Sequence, residues 1–329
     1  MPRILSRWAR VGPNYPPDYI TELQTGPSRI TVTVDDHGNP VLPSPGDENI
    51  VVPGNRDIEV RQQVLDAAGV DMQVLTFTAP GTLIETPARA VSLAQLVNDA
   101  FARIVSERGD RFTALGTLPL NDPAASLREL DRVRQLGLAG CMLFGNVNGA
   151  ALADERFWPL YEKASDAHMV MYIHPTYPVG VEAMTDYWLM PLVGFLFDTT
   201  LAAAHLVFSG VVERFPGIRW VLAHLGGAIP YLAERLDRGY YAFADCRTNI
   251  SRPPTEYLRQ FYYDTVNFDV RALRLAIDFV GPDHLVAGSD YPHQIGSLER
   301  MLQSIEQLDL SVEAKTGILG ANASRLLGL

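Results

Sequence analysis

Cysteine is scarce: 329 residues contain two, Cys141 and Cys246, far apart in the chain, with Cys141 inside an apolar run. That excludes a disulfide framework and a thiolate metal site, and both read as reduced, packed thiols. Basic residues are outnumbered, 27 Lys and Arg against 38 Asp and Glu, for a formal net charge of −11. With no cluster of cations, nucleic acid and anionic membrane are poor partners. No stretch reads as an unbroken apolar run of the roughly 18 residues that a membrane span needs. The start, MPRILSRWARVG, carries basic residues but lacks the apolar centre of a signal peptide. The expectation is a cytoplasmic protein that acts on a small molecule.

What is present is an alternation of short β-rich runs with longer amphipathic stretches, the pattern of repeated βα units around a parallel sheet. Strands are expected over 70–77, 114–120, 140–144, 169–175, 219–226, 261–265 and 285–291. Helices are expected near 58–68, 88–108, 123–136, 156–167, 198–214, 229–243, 269–280 and 297–307, the third opening on Asp122-Pro123, which suits a helix start. Seven strands are visible, and closure into an eight-stranded barrel, one domain spanning 1–329, is the natural architecture. Residues 26–57 break the rhythm with Pro27, Pro40, Pro43, Pro45 and Pro53, and only 30–35 (ITVTVD) alternates like a strand. This reads as an irregular excursion over the barrel mouth.

Three polar residues close three apolar runs: His174 in MVMYIHP, His224 in WVLAHLGG and Asp290 in LVAGSDYP. The C-terminal end of a buried parallel strand faces the loops that build an active site, so the repeated placement points to a metal or acid/base site. Neutral imidazole is a common ligand for divalent metals, and a strand-end Asp offers both ligation and a base. Taken alone, a strand-end His is as readily a structural residue, but Pro175 and Pro178 stiffen the loop after His174, as a ligand requires. An Asp in an apolar run is expensive to bury without a compensating ion or hydrogen bond. Gly226 and Gly227 permit close approach of backbone to a ligand. Arg235 or Arg238 on the next helix could grip a carboxylate, although by position a surface ion pair with Asp237 or Glu234 accounts for Arg238 better. Asp264 reads as a supporting acid, and His293 as either a pocket residue or a solvated loop histidine.

The strings RQQVLDAAGVDMQVLT, RFTALGTLPLNDP, YIHPTYP, DYWLMPLVGFLFDTT, SGVVERFPGIRWVLAHLGGAIPYLAERLDR and LVAGSDYPH resemble the amidohydrolase-related family that contains aminocarboxymuconate-semialdehyde and γ-resorcylate decarboxylases. The resemblance runs from about residue 58 to the C-terminus. It implies a (β/α)8 TIM-like barrel holding one divalent metal, zinc or manganese, with His174 and Asp290 as ligands and His224 as acid/base. It further implies that Arg235 reaches a substrate carboxylate, often across a homodimer interface, and that Trp188 lines the pocket. The activity implied is non-oxidative decarboxylation of a small aromatic or muconate-like carboxylic acid. The same parts could hydrolyse an amide, lactone or carbon–carbon bond.

One departure stands out. Family members carry His-x-His on their first strand, and no such motif occurs in this chain. The segment 2–8 (PRILSRW) resembles what normally follows that pair, so the first strand is expected to be missing, lying upstream of Met1. An inactive barrel lacking a complete metal site is the remaining alternative.

Overall fold

The computed structural model describes residues 10–329; segment 2–8 lies outside the described residues. Eight parallel strands follow one another around the sheet: β1 (Arg10–Pro13), β2 (Gln73–Thr76), β3 (Phe112–Ala114, resuming as Gly116–Thr117), β4 (Cys141–Phe144), β5 (Val170–His174), β6 (Arg219–Leu222), β7 (Tyr262–Asp264) and β8 (Leu285–Val286). Each pairs in parallel with the next, from Arg10 opposite Gln73 to Tyr263 opposite Leu285. The helices between them are α1 (Ile58–Ala67), α2 (Pro87–Arg108), α3 (Pro123–Gln135), α4 (Trp158–Asp166), α5 (Phe195–Phe208), α6 (Ile229–Ala242) and α7 (Val270–Val280), with α8 (Leu298–Glu306) after β8. Strands such as β4 and β5 are buried at every position, as a sheet covered on both faces demands. The Asp122 carboxylate caps α3 by accepting from the Ala125 N–H at 2.9 Å.

The expectation of a missing first strand is corrected: Arg10–Pro13 takes the first position in the barrel order. The sequence RVGP hides it, because Gly and Pro are poor strand formers and only pairing with β2 makes the segment extended. A Cβ on Gly12 would lie 2.4 Å from Gln73 Nε2 and 2.8 Å from the Tyr291 carbonyl oxygen. Glycine is what lets β1 approach both β2 and the loop beyond β8. No ladder joins β8 to β1 among the described residues.

Two expected strands end early. Those ending at 226 and 291 stop at Leu222 and Val286, and His224 and Asp290 lie in the loops just past them, with φ of +53° and +54°. The excursion is also more regular than expected: Thr33–Val34, Pro40–Ser44 and Asp47–Ile50 form a three-stranded antiparallel sheet. The stretch Met190–Phe208, one turn of wide helix running into α5, is by length and composition apolar enough to cross a membrane, with mean hydropathy 1.5. Its inner face, including Asp198, Thr199, Ala203 and Leu206, is buried against the barrel, as a covering helix of a globular domain would be.

Candidate active site

His174, His224 and Asp290 converge. One donor atom from each lies within 4.8 Å of the other two, and the imidazole rings are 5.2 Å apart at 66°. They sit in a cavity of about 900 Å³ at the C-terminal ends of the strands. The Asp47–Ile50 strand walls one side; Thr78, Trp188, Phe195, Phe268 and His293 line others.

Each group is held for a reason. His174 Nδ1 lies 2.7 Å from the Pro175 carbonyl oxygen. A carbonyl only accepts, so Nδ1 carries the proton and Nε2 keeps its lone pair. Burial drives the His174 pKa well below its usual value, with His224 adding to the effect, so the ring is neutral at pH 7. His224 is likewise lowered by burial, partly opposed by Asp264, and its Nδ1 is buried without a hydrogen-bond partner. The Asp290 carboxylate accepts no hydrogen bond among the described residues, and its pKa is pushed up to about 8, first by burial and then by Asp264. Two neutral imidazoles and a carboxylate deprived of counter-charge form the donor set of a divalent cation site, and the residues present fit one.

Positive φ at Tyr187, Trp188, His224, Phe268 and Asp290, all lining the cavity, concentrates backbone strain here. Strain of this kind persists only where packing fixes it. The His224 turn is fixed by Asp264, fully buried, which accepts from the Leu225 and Val266 N–H groups at 3.2 and 2.9 Å and from the Tyr172 hydroxyl at 2.6 Å. This is the supporting part expected of Asp264. The glycines after His224 play a different part from the expected one. A Cβ on Gly226 would meet the Tyr263 ring at 2.4 Å, and one on Gly227 the Leu196 carbonyl oxygen at 2.1 Å, so they make room for protein and not for ligand.

Trp188 and His293 both line the cavity, which for His293 favours the pocket over the solvated-loop reading. Burial, then His224 and Arg61, lower the His293 pKa to about 4. Its Nε2 lies 3.4 Å from Thr78 Oγ1, which in turn is 2.9 Å from the Tyr15 hydroxyl. Arg235 does not reach this cavity in its own chain; it is exposed on α6. Arg238 is exposed too, and the ion pair considered for it with Asp237 or Glu234 does not form: Asp237 instead accepts from Thr255 N–H and hydroxyl at 3.0 and 2.7 Å. Cys141 is buried, whereas Cys246 is only half-buried. The sequence reading missed Phe195, whose ring lies parallel to His224 at 6.5 Å, because it sits within a continuous apolar stretch. It also missed Thr78 and Arg300, which no motif marks.

A parallel barrel with a polar donor cluster at its C-terminal mouth is the architecture of a mononuclear metal-dependent enzyme. The amidohydrolase family pattern matches residues 34–329, and the chain belongs to that family. It is 36% identical over 279 residues to 2-amino-3-carboxymuconate-6-semialdehyde decarboxylase of Dictyostelium discoideum, covering 83% of this chain and 77% of that protein. The crystal structure of 5-carboxyvanillate decarboxylase LigW from Sphingomonas paucimobilis is 30% identical and superposes with a TM-score of 0.80 over 85% of this chain and 87% of its own. A dihydroxybenzoic acid decarboxylase from Polaromonas sp. JS666, solved with bound manganese and 2-nitroresorcinol, shares the fold at 22% identity, with a TM-score of 0.81 over 99% of this chain and 98% of its own.

Proposed function

We propose that the protein is a metal-dependent, non-oxidative decarboxylase of a small aromatic or muconate-like carboxylic acid. The observation that carries this is the convergence of His174, His224 and Asp290 on one cavity, in a chain whose relatives at 36% and 30% identity are decarboxylases. His174 through Nε2 and the Asp290 carboxylate are the groups that would hold a divalent ion. Their mixed nitrogen and oxygen character suits zinc, with manganese, bound by the Polaromonas protein, as the other candidate. Such an ion supplies Lewis acidity toward a substrate oxygen and screens the buried Asp290 charge.

His224 handles the proton. Its low pKa keeps it neutral at rest; an anionic substrate beside it raises that pKa and lets it charge. It then gives the proton to the carbon that bears the reacting carboxylate. The carbon–carbon bond breaks, its electron pair restores the conjugated system, and carbon dioxide leaves, so one proton replaces one carboxylate. The Phe195 and Trp188 side chains offer apolar surface to the flat part of the substrate.

Leu189, Val193, Phe197 and Leu201, all at least 36% exposed, form an outward apolar face on α5 and the turn before it. A homodimer packed through this face would cover it and could bring Arg235 of one subunit toward its partner. The test of function is incubation of zinc- or manganese-loaded protein with hydroxybenzoates and muconate-like acids. Carbon dioxide release is expected; hydrolysis of amides or lactones without it would favour a hydrolase.

A further inference from the structure

We propose that Arg300 anchors a second negatively charged group on the substrate, at the end remote from the carbon that loses its carboxylate. Imidazoles aside, Arg300 is the one cationic side chain lining the cavity among the described residues; the other charged linings, Asp47, Glu48 and Asp290, are acidic. Arg300 is thus the one side chain of the lining, imidazoles aside, that offers a fixed positive charge to an anion at the cavity mouth. Its guanidinium forms no ion pair among the described residues, so the planar fork of donors is available to a carboxylate.

Its position is fixed relative to the reacting groups. The loop from Asp290 folds back on itself through His293 N–H to the Asp290 carbonyl (2.9 Å), Gly296 N–H to the His293 carbonyl (2.9 Å) and Ser297 N–H to the Ser289 carbonyl (2.8 Å). A Cβ on Gly296 would lie 2.2 Å from the Asp290 carbonyl oxygen, so the loop packs as closely as glycine allows. Ser297 then caps α8 by accepting from the Arg300 N–H at 3.1 Å. Arg300 therefore stands one helical turn beyond a segment braced on the residues flanking Asp290, and is exposed at the mouth while Asp290 lies deeper.

The inference rests on the decarboxylase reading for the chemistry at the deep end, but not for binding, and the two are separable. Calorimetric titration of the metal-loaded protein would compare salicylate with 4-hydroxyisophthalate, which adds one carboxylate to the same ring. The native chain is expected to bind the diacid at least about tenfold more tightly. Arg300→Met should bring the ratio of the two dissociation constants to about one, and Arg300→Lys should keep part of it. Equal affinities in the native chain, or a preference that survives Arg300→Met, would overturn the proposal, as would loss of the preference only in Arg235→Met. Carbon dioxide measured on the same samples decides the other question. A binding preference without carbon dioxide release from these acids or from the muconate-like acids above would refute the decarboxylase and leave Arg300 as an anchor; release without preference would do the reverse.

Discussion

The barrel rim has two arcs with opposite chemistry. At or just past the ends of β5, β6 and β8, His174, His224 and Asp290 bring donor atoms to a common space, with His174 Nδ1 held by the Pro175 carbonyl and His224 Nδ1 left without a partner among the described residues. Along β1 and β2, polar groups are used to build the fold: Arg61, fully buried, donates to Gln73 Oε1 at 2.7 Å and to the Pro13 carbonyl, and lies over the Tyr291 ring at 5.7 Å from its centroid. Burial lowers the Arg61 pKa to about 10, so it stays charged. The first strand described, Arg10–Pro13, pairs with β2 through its backbone, with Gly12 opposite Leu75. The contrast shows that, among the described residues, polar groups on one arc are left free to act while those on the other close the barrel.

The sharpest way to break this contrast is Asp290→Asn. It removes the only carboxylate among the three donors, and metal-dependent turnover should fall by about a thousandfold, equivalent to about 4 kcal/mol, with the barrel still folded by circular dichroism. An unchanged rate would show that the first arc does not carry the chemistry. Arg61→Leu probes the second arc: it leaves the Pro13 carbonyl and Gln73 without their donor and should lower unfolding stability in urea by about 2–4 kcal/mol. A loss below about 0.5 kcal/mol would remove its role in closure.

Protons should also distinguish the arcs. With the Asp290 pKa raised to about 8, the ion-free protein loses stability as pH rises from the ordinary carboxylate range toward 8. His174 and His224 have lowered pKa values, so their contribution is present above about 6.5 and is lost on acidification. A divalent ion held by His174 and Asp290 needs both deprotonated, so the rise in melting temperature on adding zinc should grow from pH 5 to pH 8. A rise independent of pH would place the ion elsewhere. The smallest effect is expected from His293→Phe, which keeps the cavity wall but removes the contact with Thr78; turnover should change by only a few-fold.

The sequence carried most of the fold because seven of the strands fall in short apolar-rich runs between patterned helices; the helix expected over 58–68 forms at Ile58–Ala67. The first strand escaped notice because Gly12 and Pro13 hide it, and its extension comes from pairing with β2, a contact no local pattern announces. His174, His224 and Asp290 were legible because a polar residue closing an apolar run is costly unless used. Arg300 and Thr78 were not, since their place in the cavity depends on how the loop after Asp290 folds back and on how Tyr15 and Asn49 hold the Thr78–Ala79 segment. Exposure of the outer face of α5 was equally hidden, because an apolar stretch reads alike whether it faces a core or a partner.

The most direct test is the metal content of the purified chain after zinc or manganese loading and gel filtration. About one ion per chain, retained by the native protein and absent from Asp290→Asn, is the expected result. No retained ion after supplementation, or the same content in both proteins, would contradict the site.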